Sequence, residues 1–74
     1  MSTFQDLRER QYLSQSELAL RCGVNKASVW QWEHGETLPS LAHQKLLVEA
    51  LQCSREELLA ALKEARERRT QADE

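Results

Sequence analysis

Apolar residues recur along the chain at helical rather than alternating spacing, and β-branched residues are scarce, so the pattern predicts an all-α chain. A first helix over Thr3 to Gln11 turns Phe4, Leu7 and Tyr12 inward and leaves Arg8 and Arg10 outside. Ser14 with Glu17 has the Ser-x-x-Glu form of a capping box, in which each side chain satisfies a backbone amide of the other residue. A second helix therefore starts at Ser14, buries Leu18, Ala19 and Cys22, and stops at Gly23, with Leu13 placed to pack on Leu18 as a hydrophobic staple. Asn25 is a good N-cap for a third helix reaching about His34, and Gly35 supplies the left-handed residue that ends it. Pro39 and Ser40 stop the loop and cap a fourth helix that runs to about Gln52. Ser54 with Glu57 is a second capping box, opening a fifth helix through Leu58, Leu59 and Leu62. Beyond Ala65 the apolar period disappears, which predicts a domain over residues 1–65 and a fraying, charged tail over 66–74. The expected core joins Leu7, Leu18, Ala19, Cys22, Val29, Trp32, Leu41, Leu51 and Leu58.

Composition narrows the classes. A chain of 74 residues has room for one small core, and 41% hydrophobic with 30% charged residues fits a folded globular domain. The N-terminus lacks the basic segment and apolar run of a signal peptide and no long apolar stretch follows, so a cytoplasmic protein with no membrane partner is expected. The net charge of −2 does not announce a nucleic-acid binder, so any such function must rest on local arrangement. Cys22 and Cys53 have no metal-motif spacing and sit among apolar residues, as buried free thiols do. A zinc site made from them with His34 and His43 would need ligands from unrelated segments; no metal and no cofactor are expected. No nucleophile stands at motif spacing from a base and no phosphate loop is present, which argues against an enzyme.

The second and third helices, joined by a tight Gly-containing turn, form the unit that can lay its second helix in the DNA major groove. At about 100° per residue, Val29 and Trp32 lie together on the core side, while Ala27 and Gln31 fall nearly opposite, flanked by Ser28 and Trp30. An ordinary solvated face would favour Glu, Lys and Arg; here Lys26 is the one basic residue. Such a face suits base edges, because Gln pairs with adenine through two hydrogen bonds, Ala offers a methyl to thymine, and Lys reaches guanine or phosphate.

Residues Leu7-Arg8, Leu13 to Ala19, Gly23-Val24, Val29 with Trp32-Glu33 and Gly35, Pro39-Ser40-Leu41, Leu51 with Cys53-Ser54, and Leu58-Leu59 occur in the order and spacing of a known pattern. Over about residues 4 to 62 the chain resembles the Cro/CI-type (XRE) helix-turn-helix regulators. The resemblance implies a five-helix, lambda-repressor-like fold. It assigns Gln15 to a phosphate and Asn25, Lys26, Ala27 and Gln31 to bases, and it places Ser28 and Trp30 at flanking positions that touch the backbone. It also implies a salt bridge between Arg8 and Glu33 that ties the first helix to the end of the third. Glu36 departs from the pattern, since relatives often carry Lys or Arg there; Thr37, Ser40 and His43 are the candidate replacements for that phosphate contact. Gln44 replaces an apolar residue, while Leu46 falls on the outer side of the fourth helix with Ala42 and Ala50, which implies either a rotated helix or an apolar partner patch.

Two functions of different class follow. One is a sequence-specific, double-stranded-DNA-binding repressor acting as a homodimer on a pseudo-palindromic operator; with four basic residues in the first forty positions, a monomer would bind weakly. Relatives dimerise through the region of helices four and five, here Leu38, Leu41, Cys53, Ser54 and Arg55. The other is a protein-binding antitoxin or adaptor of the same fold, with a toxin or similar partner. A titration with non-specific duplex separates them, because only DNA binding falls steeply with salt.

Overall fold

The computed structural model describes residues 3–72, and residues 1, 2, 73 and 74 of the expected domain and tail lie outside them. Among the described residues five helices follow one another: α1 (Phe4–Arg10), α2 (Gln15–Cys22), α3 (Lys26–Glu33), α4 (Leu41–Leu51) and α5 (Arg55–Ala72). The fold is all-α and lambda-repressor-like, with α2 packed on α3 and α4, and α5 lying against α1, α3 and α4. Polar caps decide the starts. Ser14 and Glu17 exchange hydrogen bonds of 3.0 and 3.1 Å, Ser54 and Glu57 do so at 3.2 and 3.0 Å, and Asn25 and Ser40 cap α3 and α4. Thr3 and Asp6 form a further box at α1, with Asp in the role Glu plays elsewhere.

The core is one cluster in which Phe4, Leu7, Leu18, Val29, Leu47, Leu51 and Leu58 are wholly buried and Trp32 nearly so. Leu41, expected there, is 74% exposed, and Leu47 holds the place in the core instead. On α4 these two residues stand about 120° apart, so a helix that buries Leu47 and Leu51 presents Leu41 to solvent with Lys45. Leu46 is on the outer side, and the half-buried Gln44 bonds the Pro39 carbonyl oxygen at 3.1 Å. Tyr12, expected inside, is 93% exposed: the chain takes a left-handed conformation there (φ 57°), turning the ring outward and leaving the inner position to Leu13.

The helix expected to fray after Ala65 continues without a break to Ala72. Ala65 is buried, and residues 66–69 are exposed yet helical, so the stretch is solvated as expected but not unwound. Arg, Glu, Gln and Ala are strong helix formers, and Lys63 with Glu67 stands one turn apart at 4.0 Å.

Candidate nucleic-acid interface

Helix α3 is anchored from behind and open in front. Behind, Glu33 is 8% exposed and its carboxylate divides its two oxygens between two helices. Oε1 accepts from Arg8 Nε of α1 at 2.5 Å, and Oε2 accepts from Gln15 Nε2 of α2 at 2.6 Å. Arg8 also donates from Nη1 to the Leu13 carbonyl oxygen at 2.7 Å, which pins the loop ahead of α2. The cost of taking this carboxylate out of water is offset by a donor on each of its oxygens. The Gln15 bond was not foreseen from the sequence. Its signal was present, an amide one residue into α2 and a carboxylate beside Trp32, but only the packing of α2 on α3 brings the two together.

In front, Asn25, Lys26 and Ala27 are exposed, and Ser28 and Gln31 are half-buried. The Oδ1 of Asn25 is committed to the helix cap, accepting from the Ser28 amide at 2.9 Å and from the Ser28 hydroxyl at 3.0 Å, so Asn25 faces outward as a donor through its NH2. Among the described residues, the Lys26 and Gln31 side chains have no hydrogen-bond or ion-pair partner. Trp30, 43% exposed, stacks on His34 with ring centroids 4.0 Å apart, and His34 Nδ1 donates to the Trp30 carbonyl oxygen at 2.8 Å. Trp30 is thereby drawn toward the C-terminal end of α3, away from the centre of the face.

The loop after α3 closes by the Glu36 amide donating to the Gln31 carbonyl oxygen at 2.9 Å. Thr37 and Glu36 are exposed on it. Ser40 and His43, the other candidates for a phosphate contact, engage each other through a 3.1 Å hydrogen bond and the α4 cap. Cys22 and Cys53 are free thiols whose pKa values burial pushes upward, so both stay protonated and poorly nucleophilic. Cys53 is accordingly no part of an outer surface. Among the described residues, no group of three or more His, Cys, Asp or Glu side chains is placed to hold a metal ion, and no helix is long and apolar enough to cross a membrane.

A two-helix unit whose second helix faces outward with small and amide side chains and the single cation Lys26 is the arrangement of a helix-turn-helix DNA-binding protein. The helix-turn-helix family model matches residues 4–58, and the chain belongs to the Cro/CI-type (XRE) helix-turn-helix family. Its members are DNA-binding transcription regulators and not enzymes, and DNA is the partner this assigns. Comparison with curated proteins and with solved structures returns no match.

Proposed function

We propose that the protein is a repressor that binds, as a homodimer, a pseudo-palindromic operator in the cytoplasm. The observation that carries the reading is the pairing of an uncommitted face with a fixed back: Lys26 and Ala27 are exposed and Gln31 is half-buried without a hydrogen-bond partner, on a helix that Glu33 locks to α1 and α2. Gln31 suits adenine through two hydrogen bonds, Ala27 a thymine methyl, and Lys26 a guanine edge or a phosphate. Asn25 adds a donor; Ser28, Trp30 and Thr37 flank the face and meet the sugar-phosphate backbone. Gln15 keeps a second Nε2 proton for a phosphate at the N-terminus of α2, after the first is given to Glu33.

A second copy supplies the missing affinity. The exposed Leu38, Leu41 and Leu59 line shallow grooves where α4 and α5 meet, and Gln44 lines both grooves, so the face is continuous. Lys45 and Glu49 border it beside Arg55, and a twofold axis would set Lys45 of one copy against Glu49 of the other. Two copies would present their α3 helices to half-sites with centres about 34 Å apart, one turn of duplex. Selection from a random duplex pool tests the whole reading: a paired, inverted motif at that spacing is the expected result. Recovery of no motif, with a sedimentation profile of a monomer and salt-independent behaviour toward duplex, would transfer the same apolar face to a different protein partner, the antitoxin or adaptor reading.

A further inference from the structure

The two glycines sit in nearly the same backbone conformation, φ 69° at Gly23 and φ 73° at Gly35, yet in different surroundings. A Cβ built on Gly23 would meet nothing within 4 Å. One built on Gly35 would lie 2.5 Å from the Ala65 carbonyl oxygen, 2.6 Å from the Ala65 carbonyl carbon and 2.8 Å from Arg66 Cα. The backbone of α5 therefore rests directly on the turn that ends the reading helix, at residues beyond the segment the family model matches. The turn is in turn closed on the reading helix, since Glu36 donates to the carbonyl oxygen of Gln31 itself. Trp30 and His34 on one side and Ala65, Arg68 and Arg69 on the other line a groove of about 410 Å³ alongside this contact.

We propose that the second half of α5 is a positioning strut for DNA reading: Ala65 and Arg66 seat the Gly35 turn, and the turn sets where Gln31 stands. Gly35 is then required twice, once for its backbone angle and once because only a residue without a Cβ lets α5 approach this closely. A reading side chain must be held within a fraction of an ångström to make a two-bond contact, and α3, eight residues long, has little rigidity of its own at its C-terminal end. Ala65 and Arg66 need touch no DNA for this. The inference rests on the reading of Gln31 as a base contact.

The test compares Gly35→Asn with Gly23→Asn in the full chain. Asn tolerates the left-handed conformation, so the two variants share the backbone penalty and differ in the collision with α5. Affinities for the selected duplex and for a non-specific duplex are measured well below each variant's own melting transition. Expected is a drop of about tenfold in the ratio of the two affinities for Gly35→Asn, the size of one lost base-pair preference, with the parent ratio kept in Gly23→Asn. Repeating the selection with Gly35→Asn should flatten the same base position that Gln31→Ala flattens. If Gly35→Asn does not fold, Ala65→Val enlarges a buried α5 residue at the same turn and is held to the same two readouts. A Gly35 or Ala65 variant that melts lower but keeps the parent ratio and motif overturns the strut and leaves the reading face standing. A parent chain that prefers no duplex overturns both, and it does so before any variant is made.

Discussion

The two helices of the helix-turn-helix have eight residues each and are built on opposite plans. α2 is stabilised from within: it has a reciprocal capping box, Glu17 in its first turn and Arg21 in its last, all favourable to its own macrodipole. α3 has a one-way cap from Asn25, no acidic residue in its first turn and no basic residue in its last. It is stabilised from outside, through Trp32 in the core and through Glu33, which Arg8 and Gln15 hold. The difference teaches what the proposed DNA reading would ask of α3: carboxylates placed to steady its N-terminus would also repel the phosphates it approaches. Its neighbours must do that work.

The largest perturbations should therefore come from α3's anchors. Trp32→Ala is expected to destabilise the fold by about 3–5 kcal/mol in urea denaturation, and a loss under about 1 kcal/mol would show that Trp32 is not the core contact described. Glu33→Ala leaves the Arg8 guanidinium, 11% exposed, without its carboxylate and should also cost about 3–5 kcal/mol. Were it as stable as the parent, α3 would need no support from α1 and the contrast with α2 would collapse.

On the outer face the expected effects are in binding rather than folding. Gln31→Ala should weaken the best site by about 1–3 kcal/mol and flatten preference at one position per half-site, with the melting temperature almost unchanged. Lys26→Ala should lower the slope of log affinity against log salt by about one per subunit if it meets phosphate, and relax specificity if it meets guanine. Equal binding by both variants would remove the reading role from α3.

Smaller still are the caps. Ser14→Ala should destabilise by about 1 kcal/mol through α2's own start. Its effect should depend on pH, because the hydrogen bonds from the Ser14 backbone amide and hydroxyl hold the Glu17 carboxyl below its ordinary pKa. A carboxylate favoured in the folded state stabilises above its unfolded pKa, and that contribution is lost as pH falls through the folded value. The gap in melting temperature between parent and Ser14→Ala should thus be full at neutral pH and shrink in acid. A constant gap would mean that the Ser14 hydroxyl takes no part in holding the Glu17 carboxyl.

Helix starts and stops were legible because each is marked by chemistry local to it: Ser14 and Ser54 with their glutamates, Asn25, Ser40, Gly23 and Gly35. The inner face of α3 was legible because Val29 and Trp32 are its large apolar residues on one side. α4 was not, since Leu41, Ala42, Leu46, Leu47, Val48, Ala50 and Leu51 surround the helix and no period selects Leu47 over Leu41. The end of α5 was hidden for the opposite reason: its helicity comes from propensity without an apolar stripe, apart from Ala65 under Gly35. Of the candidate site, the outward face could be derived from angular spacing alone, whereas the bond from Gln15 to Glu33 joins residues of two helices whose relative placement no local pattern encodes.

That bond bears on how the molecule can diverge. Arg8, Gln15 and Glu33 are mutually committed, so a change at one strands the others, and descendants should inherit the three as a block or replace them together. Lys26, Ala27 and Gln31 carry no such obligation. Each can be exchanged one at a time on an intact scaffold, so under the proposed reading role new operator preferences are within reach of single steps, without passing through a variant that fails to fold.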